Sequence, residues 1–104
     1  MAEGKVSVTA RFRAKTDCVQ KLRESILFLV APARGDTGCI NYDLHQSAED
    51  PEVFLLYENW VSKKHLDEHL AMPYLQAFLG TLEAILAEPV DIQLWKMISP
   101  EAKP

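Results

Sequence analysis

The sequence is short of cysteine and of basic residues, and it contains no long apolar run. Its two cysteines, Cys18 and Cys39, form neither a CxxC motif nor a zinc-ligand pattern. As lone thiols they suit a reducing compartment, and each reads as a small buried hydrophobe. Lysine and arginine total 11 against 15 aspartates and glutamates, a formal net charge of −4. That balance excludes a protein that wraps nucleic acid by bulk charge, which needs a basic face against the phosphates. No run reaches the roughly 18–20 apolar residues of a membrane span. The longest, Ile26 to Ala33, is interrupted by Pro32. The start, Met1 to Lys5, lacks the charged-then-apolar pattern of a secretory leader. Internal repeats and low-complexity segments are also missing. The expectation is a cytoplasmic protein with neither nucleic acid nor membrane as a partner.

What is present is an ordinary globular composition. Of 104 residues, 48% are hydrophobic and 25% charged, which argues against disorder. The length allows one domain, residues 1–104, with a core over about 5–98 and a frayed tail over 99–104. A core of that size is modest, so an oligomer is expected.

Val6, Val8, Ala10 and Phe12 alternate with Ser7, Thr9, Arg11 and Arg13, the period of a half-buried strand over 5–13. A helix follows, with Thr16 or Asp17 as N-cap and Val19, Leu22, Ile26 and Leu29 on one side; Pro32 and Gly35 should end it. A second strand is read over Cys39 to His45, a turn over Ala48 to Pro51, and a third strand over Val53 to Trp60. Ser62 caps a short helix to about Leu70. Pro73 opens another, carrying Leu75, Phe78, Leu79, Leu82, Ile85 and Leu86. Pro89 closes it, and a last strand spans Val90 to Ile98. The order β-α-β-β-α-β is the ferredoxin-like split βαβ arrangement, an α+β fold. Right-handed crossovers put the helices on one face of a four-stranded antiparallel sheet.

Even-numbered strand residues should meet the helices. They include Val8, Phe12, Ile40, Tyr42, Phe54, Leu56, Glu58, Trp60, Ile92 and Leu94, and Glu58 alone is charged. A carboxylate there is either paired or lines a cavity, where desolvation would raise its pKa and suit it to accept a proton near neutrality. The odd face carries Val53, Leu55, Tyr57, Trp95 and Met97, too apolar for a bare wet surface; a symmetric dimer would cover it.

His65 and His69 stand four apart on one helix, and with Glu68 they spell H-x-x-E-H, an inverted zinc-protease string. Such a site needs a third ligand and a larger scaffold, so no metal is assigned. A plain reading leaves His65 in solvent and His69 half buried. A third places His69 beside Trp60 and Glu58, where an imidazole serves as general base at neutral pH.

The runs Glu58-Asn59-Trp60-Val61-Ser62, His65-Leu66-Asp67-Glu68-His69-Leu70 and Met72-Pro73-Tyr74 with Phe78 resemble the antibiotic biosynthesis monooxygenase family. So do Gly38-Cys39-Ile40-Asn41-Tyr42 and Val8-Thr9-Ala10-Arg11-Phe12. The resemblance covers about residues 5–98 and is strongest to small bacterial quinol monooxygenases. It implies a dimeric α/β barrel of ferredoxin-like subunits. It implies oxidation of polycyclic or dihydroxy aromatics by O₂ with no cofactor: no flavin, haem or metal. By the family pattern, Trp60 and His69 are pocket residues and Glu58 takes the third motif position. Tyr74 stands where a histidine often follows the proline. Haem-degrading relatives use a first-strand Asn; this chain has Ser7 and Thr9 there and no Asn, so haem breakdown is not implied.

The resulting expectation is a cofactor-independent monooxygenase for a hydroquinone or anthrone-like substrate. His69 would be the base, helped by Glu58, and Trp60, Tyr74, Phe12, Tyr42 and Phe54 would bind the ring. Two rivals share the scaffold: an enzyme processing a phosphorylated substrate of the autoinducer-2 type, which would use Arg11 or Lys63, and a homodimeric binding protein without turnover.

Overall fold

Alternation along the first eight strand residues places Val8, Ala10 and Phe12 on the buried side of β1 (Val6–Arg13) in the computed structural model, which describes residues 4–102. The chain continues through a 3-10 turn (Thr16–Cys18), α1 (Val19–Gly35), β2 (Cys39–Gln46), β3 (Val53–Trp60), α2 (Lys63–Leu70), α3 (Pro73–Thr81) and β4 (Asp91–Trp95). The sheet order is β2-β3-β1-β4, with every pair antiparallel. This is the ferredoxin-like α+β fold. The helices pack on the even face: Leu22, Ile26, Leu29 and Ala33 of α1, Leu66 of α2, and Leu75 and Phe78 of α3 join Phe12, Tyr42, Phe54, Leu56 and Trp60 in one core.

Several local features differ from the sequence reading. First, Thr16 and Asp17 do not cap α1; they sit in the 3-10 turn, and no side chain caps the helix start. Second, Pro32 lies inside α1 rather than ending it. Pro32 is on the outer side, so the carbonyl it leaves unpaired, that of Phe28, faces water. The last turn is held by the fully buried Ala33 and by Arg34, which donates to the Tyr42 carbonyl at 3.1 Å and to Asp43 at 2.8 Å. Third, α3 stops at Thr81. Leu82–Ala84 form a 3-10 turn, which lets Leu86 bridge Ala14 at the end of the sheet. Fourth, β4 is five residues long, and Met97 and Ile98 lie beyond it, exposed.

The start of β2 carries a register shift. Cys39 pairs with Trp60 and Asn41 with Asn59, so Ile40 is the extra residue of a bulge. Ile40 is thereby turned out to solvent, and Cys39 takes the helix-side face expected for it. On the outer face a hydrogen-bonded ladder crosses the sheet: the Ser7 hydroxyl to Asn59, the Asn59 amide to Asn41 at 2.9 Å, and the Asn41 amide to Asp43 at 3.1 Å. No helix among the described residues is long and apolar enough to cross a membrane.

Candidate active site

Ser62 caps α2 as its sequence predicts, accepting the His65 backbone N–H at 3.3 Å. The Ser62 hydroxyl also bonds His65 Nδ1 at 2.8 Å. The His65 ring rests on Gly38, whose φ is +85° and whose absent Cβ would overlap that ring. This contact seats the start of α2 on the loop before β2. One turn on, His69 points inward. The two histidines therefore diverge, and among the described residues no cluster of three His, Cys, Asp or Glu side chains is placed to hold an ion.

His69 is buried, with its side chain 1% exposed. Its ring lies on Trp60 at a centroid distance of 4.4 Å, and Tyr42 meets it edge-on at 5.5 Å. Nδ1 bonds the Asp36 carboxylate at 2.8 Å, and the Tyr74 hydroxyl donates to the same oxygen at 2.6 Å. Asp36, an acceptor, fixes the imidazole proton on Nδ1 and leaves a lone pair on Nε2. Asp36 caps the C-terminus of α1 through its backbone N–H to Ala33. Its side chain thus reaches α2 because the loop 36–38 is pinned under His65.

A cavity of about 60 Å³ opens between sheet and helices. Its walls are apolar: Val8, Ala10 and Phe12 from β1, Leu56 from β3, Leu66 from α2, Leu75 and Phe78 from α3. Leu70, Leu79, Ile92 and Leu94 form the more exposed rim. The polar residues lining it are Tyr42, Glu58 and His69. Glu58 Oε1 accepts the Trp60 indole N–H at 2.9 Å. Among the described residues no fully enclosed side-chain oxygen or nitrogen lacks a partner. Among the described residues the Tyr42 hydroxyl, the second Glu58 oxygen and His69 Nε2 have no hydrogen bond, so none of the three is fully enclosed, and all three residues line the cavity.

Burial pushes the Glu58 carboxyl up to about 7, against the opposing pull of the Trp60 N–H. Tyr42 is raised well above the ordinary phenol range by burial first and by the nearby Glu58 charge second. Tyr74 is raised by burial and by its bond to Asp36, and Cys39 by burial and the charges of Glu58 and Asp36.

Of the residues singled out from sequence, Phe12, Tyr42, Glu58 and His69 do line one cavity. Trp60 and Tyr74 stand behind His69 instead, as a stacking plate and as a hydrogen-bond partner of its carboxylate. Phe54, on the same face and in the same core, is not part of that lining and borders a separate cleft with Arg23, Leu27 and Leu44. Asp36 was missed. The signal that could have found it is the demand of a buried imidazole N–H for an acceptor, but no periodicity links residues 33 apart.

The family model for antibiotic biosynthesis monooxygenases matches residues 5–81. The chain belongs to that family. Rv0793 of Mycobacterium tuberculosis, a protein named as a candidate monooxygenase, is 33% identical over 87 residues, covering 84% of this chain and 85% of that one. Its solved structure superposes with a TM-score of 0.90, covering 95% of this chain and all of that chain. PA3566 of Pseudomonas aeruginosa gives a TM-score of 0.88 at 27% identity, covering 95% of this chain and 99% of that one. The Synechocystis protein sll1783 is 26% identical over 96 residues, 92% of this chain, and this chain spans 65% of its length. Within this antibiotic biosynthesis monooxygenase domain, Asp36, Tyr42, Glu58, His69 and Tyr74 all fall inside the family match, whereas β4 lies beyond it.

Proposed function

We propose that the protein is a cofactor-independent monooxygenase that oxidises a hydroquinone or anthrone-like aromatic with O₂ and acts as a homodimer. The observation that carries this reading is the bare Nε2 of His69, backed by Asp36, in an otherwise apolar cavity. A base in dry surroundings raises an electron-rich anion without water to quench it. His69 Nε2 takes the proton of a phenolic or enolic group. The anion gives one electron to O₂, and superoxide and the carbon radical combine as a peroxide, which accepts a proton. Loss of the remaining C–H proton and cleavage of the O–O bond leave a carbonyl and release water. One oxygen atom is then in the product and one in water; carbon is oxidised and O₂ reduced.

Phe12, Leu56 and Phe78 are placed to hold the ring. Ligand pockets usually measure about 300 Å³ or more, so a ring enters by parting the rim of Leu70, Leu79, Ile92 and Leu94. A phosphorylated substrate fits less well. Among the described residues no lysine or arginine lines the cavity, and Arg11 lies on the outer face beside Glu88 at 3.4 Å. The homodimer is supported by the outer sheet face, where Tyr57 and Trp95 are exposed. A cytoplasmic site of action is consistent with the two free thiols.

Oxygen uptake by metal-free protein with hydroquinones and anthrones, corrected for autoxidation, tests the reading. Uptake with ¹⁸O from ¹⁸O₂ in the product, lowered in His69→Ala by a factor on the order of 10²–10⁴, supports it. Tight ligand binding with no uptake would transfer the protein to the non-catalytic reading.

A further inference from the structure

Tyr42 and Glu58 are direct cross-strand partners in the β2–β3 register. Directly opposed residues hold their Cβ atoms about 4.5–5.5 Å apart on one face of a sheet. Both side chains are at least nine-tenths buried, both line the cavity, and each presents an unpartnered oxygen to it. The Trp60 N–H occupies the other Glu58 oxygen and so fixes the carboxyl's orientation. His69 lines the same cavity from α2 with its lone pair free. Two adjacent O–H donors and one base therefore address one small volume, which no cationic side chain among the described residues lines.

We propose that Tyr42 and protonated Glu58 form a two-donor oxyanion site which, working with His69, gives the cavity an activity that needs no oxygen: enolisation of an aromatic ketone. A phenol beside a neutral carboxylic acid, in apolar surroundings, is an arrangement known to stabilise enolates. His69 Nε2 takes the proton of the activated C–H group. The C–H electron pair becomes the new C=C bond, and the carbonyl pair moves onto oxygen, which accepts hydrogen bonds from Tyr42 and Glu58. Return of a proton from His69 to carbon completes an exchange with no net oxidation. Binding thus favours guests that present a neutral oxygen acceptor between the two donors, a ketone or a hydroxyaromatic.

The inference rests on the reading of this cavity as the substrate site and of His69 as its base, but its test does not require oxygenation. Anthrone is incubated anaerobically in D₂O with the protein, and deuterium incorporation at the acidic carbon is followed by NMR against protein-free buffer. Exchange faster than buffer, lowered by a factor on the order of 10²–10³ in Tyr42→Phe, is the expected result. The titratable groups around Glu58 are Tyr42, its cross-strand partner, and His69, which lines the same cavity; Cys39 and Tyr74 lie far enough within its field to have their own pKa values raised, and β1 presents Val8. Wild-type exchange should fall above about pH 7, where Glu58 loses its proton. Glu58→Gln keeps a neutral donor and should lose that falling limb, whereas Tyr42→Phe should retain it. Circular dichroism checks that each variant is folded. Exchange no faster than buffer at any pH, or equal falling limbs in wild type and Glu58→Gln, overturns the inference. Oxygen uptake without anaerobic exchange would sink this inference and leave the monooxygenase standing; exchange without uptake would do the reverse.

Discussion

Glu58 is kept where the fold would be more stable without its charge. Its carboxyl titrates near 7 in the folded chain against 4.5 in the reference state. Between those values the native state holds a proton that the unfolded state has lost. Stability from this group is therefore full below about pH 4.5 and falls as pH rises to 7. Glu58→Gln removes that dependence. Its melting temperature should rise relative to wild type between about pH 5 and pH 8, by on the order of several °C for a domain of this size; a difference that does not change with pH would mean the carboxyl is not desolvated. Asp36 has the opposite character, since it completes a bond. Asp36→Asn should lower kcat by on the order of 10-fold or more and abolish the downfield Nδ1 proton resonance of His69, with Asp36→Glu restoring part of both. Glu58 was legible in the sequence because it breaks an apolar period-2 face. Asp36 was not, because its partner is brought to it by a loop and a helix that no repeat connects.

At the scale of elements, the loop 36–38 and α2 form one joint. Gly38 has the left-handed φ that an L-residue adopts at a cost of roughly 1–3 kcal/mol, and His65 occupies the space of its missing Cβ. Gly38→Ala should lower the melting temperature and reduce turnover together, because it pushes α2 and its His69 away from Asp36; a fall in stability with unchanged kcat would separate joint from site. Pro32 offers a contrary case. It interrupts α1 on the solvent side only, so Pro32→Ala should stabilise the protein by about 1 kcal/mol, the helix gain being partly offset by a more flexible unfolded chain. Calorimetry decides the sign. The strands, the helix order and the Ser62 and Pro73 helix starts could be read from periodicity and end signals. The bulge at Ile40, the passage of α1 through Pro32 and the early end of α3 could not. Each depends on what the neighbouring element buries.

For the whole molecule, the even face is closed by helices and the odd face is not. The odd face has a polar centre, the ladder from Ser7 to Asp43, and exposed aromatics at Tyr57 and Trp95. Trp95 is half exposed and donates its indole N–H to Thr9 at 2.8 Å. A charge there should oppose self-association, so Trp95→Glu should shift sedimentation from dimer to monomer at micromolar concentration while leaving circular dichroism unchanged. The sequence announced an unusual outer face through its excess of large apolar residues. It could not show that hydrogen bonds already occupy the middle of that face.

The stacking of His69 on Trp60 gives the molecule an optical readout of its own chemistry. An imidazolium quenches indole emission far more than a neutral imidazole does, and here the two rings are in contact, out of reach of dissolved quenchers. The other tryptophan, Trp95, is open to solvent. With Trp95 replaced by Phe, intrinsic fluorescence would come from Trp60 alone and would report any change in the ring stacked on it, with no label attached.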